Sequence, residues 1–154
     1  MEIEEYTTQS LEFIFNEAQK HFDDISHSFK EITNKSYLLT GIIISTISAA
    51  SILKSLNWQN IILLMILLIP LLLIFRNLLP VEFIMNGAEP KMMQHEYFKR
   101  EKKSQYDKYL IQRIGDLQEA ITNNGAILDK RSLRLTYSVV ATVISLLVSF
   151  VFWF

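Results

Sequence analysis

From Leu11 to Ile32 apolar residues recur at Leu11, Phe15, Ala18, Phe22, Ile25, Phe29 and Ile32. Their 4-3-4-3-4-3 spacing is a heptad seam, which predicts a helix with one face reserved for another helix. Three of these positions are phenylalanine, bulky for a tight two-stranded coil. The seam is therefore expected to pack on another helix of the chain or in a wider bundle. A second seam runs through Leu110, Ile114, Leu117, Ile121, Asn124, Leu128, Arg131 and Leu135. Continued in phase, it lands on Ser138, Thr142, Ser145 and Ser149. Asn123, Asn124 and Gly125 would ordinarily mark a turn. The unbroken phase predicts instead that the helix passes through them, with a kink near Gly125 as the alternative. Pro90 suits a first helical position, and Glu89 and Glu96 favour a helix start there. One helix from Pro90 to Phe154 would be roughly 95 Å long at about 1.5 Å per residue.

Superimposed on the seams are three long apolar runs, 37–53, 58–75 and 135–154, with Lys54 just beyond the first. Each is long enough to cross a bilayer, the first at the short end of the range. Three such runs in 154 residues leave too little polar chain to cover them, so membrane insertion is expected. The link KSLNWQN is short, which makes the first two runs a hairpin. The fold class expected is all-α integral membrane, with three transmembrane helices plus N-terminal and central cytoplasmic helices, the central one continuous with the third span. The divisions are a cytoplasmic helix over 1–36, a transmembrane hairpin over 37–79, an elbow and long helix over 80–134, and a third span over 135–154.

Charge distribution orients this arrangement. Residues 1–36 hold eight acids against three bases, and residues 80–135 hold ten bases against eight acids. Lys30, Lys35, Arg76, Lys130, Arg131 and Arg134 flank the ends that would face the cytoplasm, as the positive-inside rule requires. The N-terminus is expected inside and the C-terminus outside, in the inner membrane of a bacterium. Trp58 and Trp153 would sit at the outer interface, Tyr37 and Tyr137 at the inner one. Acidic residues on the polar face of the first helix disfavour its lying on an anionic lipid surface. The acidic start MEIEEYTTQS does not read as a cleavable signal peptide. The absence of cysteine excludes disulfides, thiolate metal sites and cysteine nucleophiles.

Between the second run and the long helix lies RNLLPVEFIMNGAEPK. Arg76 would snorkel to the headgroups, and Pro80, Phe83, Gly87 and Pro90 would form an apolar elbow that turns the chain. This elbow can be simple membrane architecture or a gating contact. The third run carries the hydroxyl stripe Ser138, Thr142, Ser145 and Ser149. Such a stripe can pack helices together or line a conduction path in an oligomer. Gly41, Ser45 and Ala49 make a small-xxx-small pattern in the first run, favouring packing. No Asp, Glu, Lys, Arg or His lies within a span, which argues against proton-coupled transport and charged selectivity rings.

The segment 96–113 interleaves aromatic and basic residues. Lys99, Arg100, Lys102, Lys103, Tyr106, Lys108 and Arg113 could hold phosphates and stack a nucleotide or oligonucleotide. A solvated, positive-inside helix face explains the same composition. His21, His27 and His95 have no metal-ligand spacing, and neither P-loop nor nucleophile elbow is present. No enzyme activity, cofactor or metal is expected.

Helix, hairpin, elbow and long helix in this order, with Pro80, Phe83, Gly87 and Pro90 in LLPVEFIMNGAEPK, resemble the SLATT-like small membrane effectors of bacterial antiphage defence. These are encoded beside nucleotidyltransferases, as in Pycsar- and Hailong-type systems. A third span departs from a simple two-span effector. The resemblance implies a homo-oligomer that conducts ions or permeabilises the membrane. Its control would come from a nucleotide made by the companion nucleotidyltransferase, or from a partner. The alternative is a non-conducting scaffold or accessory subunit that holds a partner through its cytoplasmic helices.

Overall fold

The computed structural model describes residues 6–53, 58–84 and 103–153 of the chain. The described residues form three helices and no strand. They are α1 (Thr8–Leu53), α2 (Trp58–Leu78) and α3 (Lys103–Trp153). The N-terminal seam and the first apolar run thus belong to one helix of 46 residues, with no break between them. Thr7 caps it: its hydroxyl accepts from the Ser10 N–H at 3.2 Å and its carbonyl from the Leu11 N–H at 3.1 Å. α3 also passes unbroken through Asn123–Gly125. A start at Pro90 lies outside the described residues.

Among the described residues, one helix is long and apolar enough to cross a membrane, Tyr106–Ser149 within α3; Leu64–Leu78 forms a shorter apolar helix. The chain divides into two compact units. Unit 1 comprises residues 1–27 and 82–127, and unit 2 comprises 28–81 and 128–154.

In unit 1 the two seams supply the core. Leu11, Leu110 and Ile114 are buried together, with Ile14, Phe15 and Ile111 packed around them. Phe22, Ile25, Leu117, Ala120 and Ile121 are also buried. The Phe22 ring lies 6.0 Å from that of Phe83 at 56°, a tilted aromatic pair. Burial of large apolar side chains in the expected phase is the main stabilising term here.

Unit 2 is built differently. Its buried positions include Ser36, Asn77, Arg131, Ser138, Thr142 and Ser145, interspersed with Ile43, Leu67 and Ile74. Its exposed positions include Leu38, Ile42, Met65, Leu72, Val143 and Leu147. In α2 the buried residues Leu67, Pro70, Ile74 and Asn77 step 3-4-3, a single stripe.

Candidate functional site

Three polar residues of unit 2 occupy the buried stripe of their own helices: Ser36 on α1, Asn77 on α2 and Arg131 on α3. They meet in one network. The Asn77 amide donates to the Arg131 carbonyl at 2.8 Å and to the Ser36 hydroxyl at 3.4 Å. The Arg131 guanidinium donates to the Thr33 hydroxyl at 3.1 Å and to the Leu79 carbonyl at 2.7 Å. Its Cζ lies 4.5 Å from the centroid of the Phe29 ring, a cation–π arrangement. Thr33 and Ser36 each donate their single proton to a carbonyl one turn back, Phe29 and Ile32, both at 2.8 Å. Their lone pairs are thereby left for Arg131 and Asn77. The backbone of α1 orients these two hydroxyls.

Arg131 is only 2% exposed, and every group that receives it is neutral. Its Nε–H and the Asn77 Oδ1 are both buried without a partner. The ion pairs described elsewhere, Lys20–Glu17, Lys35–Glu31 and Arg113–Asp116, lie along single helices. They are worth little individually.

Further along α3, two residues of the hydroxyl stripe, Ser138 and Ser145, reach α2. Ser138 donates to the Pro70 carbonyl at 2.7 Å. Ser145 lies 3.4 Å from the Ile66 carbonyl and 2.7 Å from that of Ala141. Ile66 is the residue whose carbonyl an N–H at position 70 would bond in a regular helix; proline has none. The Ser145 hydroxyl, whose one proton has the Ala141 carbonyl as its nearer acceptor, approaches the Ile66 carbonyl from another helix. Thr142 and Ser149 donate to Ser138 and Ser145 carbonyls at 2.7 and 2.6 Å. The residues proposed above as pore-lining thus include three, Ser138, Thr142 and Ser145, that lie buried within the protomer. Gly41 faces open space, with nothing within 4 Å of where a Cβ would lie. Ser45 and Ala49 are exposed.

In unit 1 the fully buried Asn124 grips the main chain at Ile84. Its Oδ1 accepts from the Ile84 N–H at 3.1 Å and its Nδ2 donates to the Ile84 carbonyl at 2.9 Å. The elbow candidates divide accordingly. Arg76 is exposed in the last turn of α2, Pro80 is exposed, and Phe83 is half-buried against Phe22. Gly87 and Pro90 lie outside the described residues.

Of the ligand-sensing candidates, Lys99, Arg100 and Lys102 lie outside the described residues, and Lys103 begins α3. Tyr106 and Lys108 are exposed, and Arg113 pairs with Asp116 at 3.3 Å. Burial, then the Glu12 carboxylate, push the Tyr106 hydroxyl above its ordinary pKa. Among the described residues no His, Asp or Glu cluster suits a metal ion.

Asn77 and the grip of Asn124 were not singled out from the sequence. The signal for Asn77 was its place in phase with Leu67, Pro70 and Ile74; for Asn124 it was a polar residue on an apolar seam. Comparison with protein-family models, curated proteins and solved structures finds no match to this chain.

Proposed function

We propose that the protein is a three-span membrane effector, held closed in the conformer described here and opened by a signal on its cytoplasmic side. The spans are 37–53, 58–75 and 135–154, with the N-terminus in the bacterial cytoplasm and the C-terminus outside. Homo-oligomers conduct ions or permeabilise the inner membrane, in the antiphage setting that the resemblance suggests. The observation that carries this is the inverted build of unit 2, with hydroxyls, an amide and a guanidinium inside and large apolar side chains outside. Helices surrounded by lipid are arranged in this way, since hydrocarbon leaves polar groups to find partners between helices.

In the closed state Ser138, Thr142 and Ser145 are buried, with Ser138 and Ser145 against α2. Conduction then requires α2 and α3 to part along this stripe, and Pro70 weakens α2 at that level. The test is current across a planar bilayer containing purified protein. Discrete steps are expected, with unitary conductance altered by Thr142→Leu or Ser145→Leu. Silence under all conditions, with both variants altering stability alone, would overturn the effector. That outcome would establish the second reading, a non-conducting scaffold, which the hydrogen bonds from the stripe to α2 favour.

A further inference from the structure

A guanidinium carries its charge at every physiological pH, so the lack of a carboxylate partner for Arg131 among the described residues has to be explained. Burying an ion is costly unless charge and hydrogen bonds are both answered. Here two of five N–H bonds reach neutral oxygens and a ring covers one face. The buried Nε–H has no hydrogen-bond partner. Arg134, half-buried one turn further along α3, adds a like charge. Among the described residues Arg131 is offered dipoles but no counter-ion.

One of the two hydrogen bonds from the guanidinium goes to an exposed segment. Leu79 and Val81 are exposed, as is Pro80 between them, and the three lie beyond the end of α2 without helical structure. Only the Leu79 carbonyl in this stretch is bonded to Arg131. A displaced 79–81 segment would free the Nη2 donor that the Leu79 carbonyl now holds. Phosphate and carboxylate suit the planar fork of arginine, and charge-assisted hydrogen bonds are about twice as strong as neutral ones.

We propose that Arg131 is the receptor for a phosphate-bearing anion, which takes its Nε–H and displaces the Leu79 carbonyl, lifting the 79–81 segment. The anion is either a lipid headgroup phosphate or a soluble phosphate ester. Arg134 contributes to its attraction. As the entry point of the gating signal the site rests on the function proposed above. The binding test itself needs neither a bilayer crossing nor a current.

The full chain is labelled with nitrogen-15 in an uncharged detergent, and the arginine Nε–H resonances are recorded. The sequence has five arginines, so Arg→Lys variants at 76, 100, 113 and 134 assign Arg131 by elimination. In one arm pyrophosphate is added against chloride of equal ionic strength. In the other, phosphatidylglycerol is doped into the micelles against phosphatidylcholine. A saturable shift of the Arg131 resonance with pyrophosphate supports the site and a soluble source; a shift with phosphatidylglycerol alone supports it with a lipid source. Arg131→Lys, which lacks the fork, should bind at least about tenfold more weakly. An unmoved resonance in both arms, or the same response to chloride, overturns the proposal. So does a response kept undiminished in Arg131→Lys, because surface cations would then carry it. Should that variant not fold, the wild-type resonance decides alone.

Discussion

Unit 1 buries mostly leucine, isoleucine and phenylalanine, with Asn124 among them, whereas unit 2 buries serine, threonine, asparagine and arginine beside Ile43, Leu67 and Ile74 and leaves much of its aliphatic surface exposed. Both use the same 4-3 spacing on α1 and α3, so period cannot account for the contrast. On the membrane reading proposed above, what changes is the solvent each face is designed against. In water, removing apolar area is the driving force. In hydrocarbon that force is absent, and close packing with interhelical hydrogen bonds takes its place. The heptad therefore specifies where a helix is in contact, while the residue types specify with what medium that contact competes.

The sharpest way to break this contrast is to shorten matched aliphatic side chains. Leu117→Ala, in the core of unit 1, should cost about 2–5 kcal/mol, read as a fall in thermal or denaturant stability in detergent. The exposed Leu147→Ala should lie within about 0.5 kcal/mol of wild type. Equal losses would refute the inverted build of unit 2. Next in size is Asn124→Leu, which leaves the Ile84 N–H and carbonyl without their partner. A loss of about 1–3 kcal/mol is expected. Faster hydrogen exchange at Ile84 would locate it. Asn124→Asp should restore only the bond from the N–H, because a carboxylate cannot donate.

Smaller still is the coupling between Ser145 and Pro70. Ser145→Ala should cost about 0.6 kcal/mol, typical of a hydrogen bond between membrane helices. In a Pro70→Ala background position 70 regains its N–H and can bond the Ile66 carbonyl, so the same substitution should cost less. A double-mutant cycle without coupling would mean that Ser145 keeps its proton on Ala141. The smallest effect concerns Tyr106. Its folded pKa is raised, so the stabilisation it contributes is complete below the unfolded value of 10.0 and is lost as pH rises through the folded one. Alkaline denaturation followed by circular dichroism should be delayed slightly in Tyr106→Phe.

Much of the helical frame was legible in the amino-acid pattern. The phase from Leu110 to Ser149 coincides with a stripe of buried or half-buried positions, and it carries α3 through Asn123–Gly125 against the local turn signal. The seam of α1 likewise continues from Ile32 to Ser36. Periodicity names a face but not the neighbour on it. The serine stripe could be assigned to packing or to a pore, yet its contact with Pro70 and Ile66 is a tertiary fact. The same holds for Asn77, Ser36 and Arg131, which lie 41 to 54 residues apart in the paired contacts that join them. Nor did composition show that Arg131, one of several flanking bases, would be the buried one.

The two bonds from Asn124 reach only the main chain of Ile84. An amide held in this way is indifferent to the side chain it grips. Position 84 can therefore drift during evolution through almost any residue, provided that an N–H remains. Proline alone among the standard residues lacks one. A variant library at this site should thus tolerate wide substitution and reject proline, while position 124 accepts almost nothing but asparagine. The constraint sits on one residue, and the variation it permits sits on another.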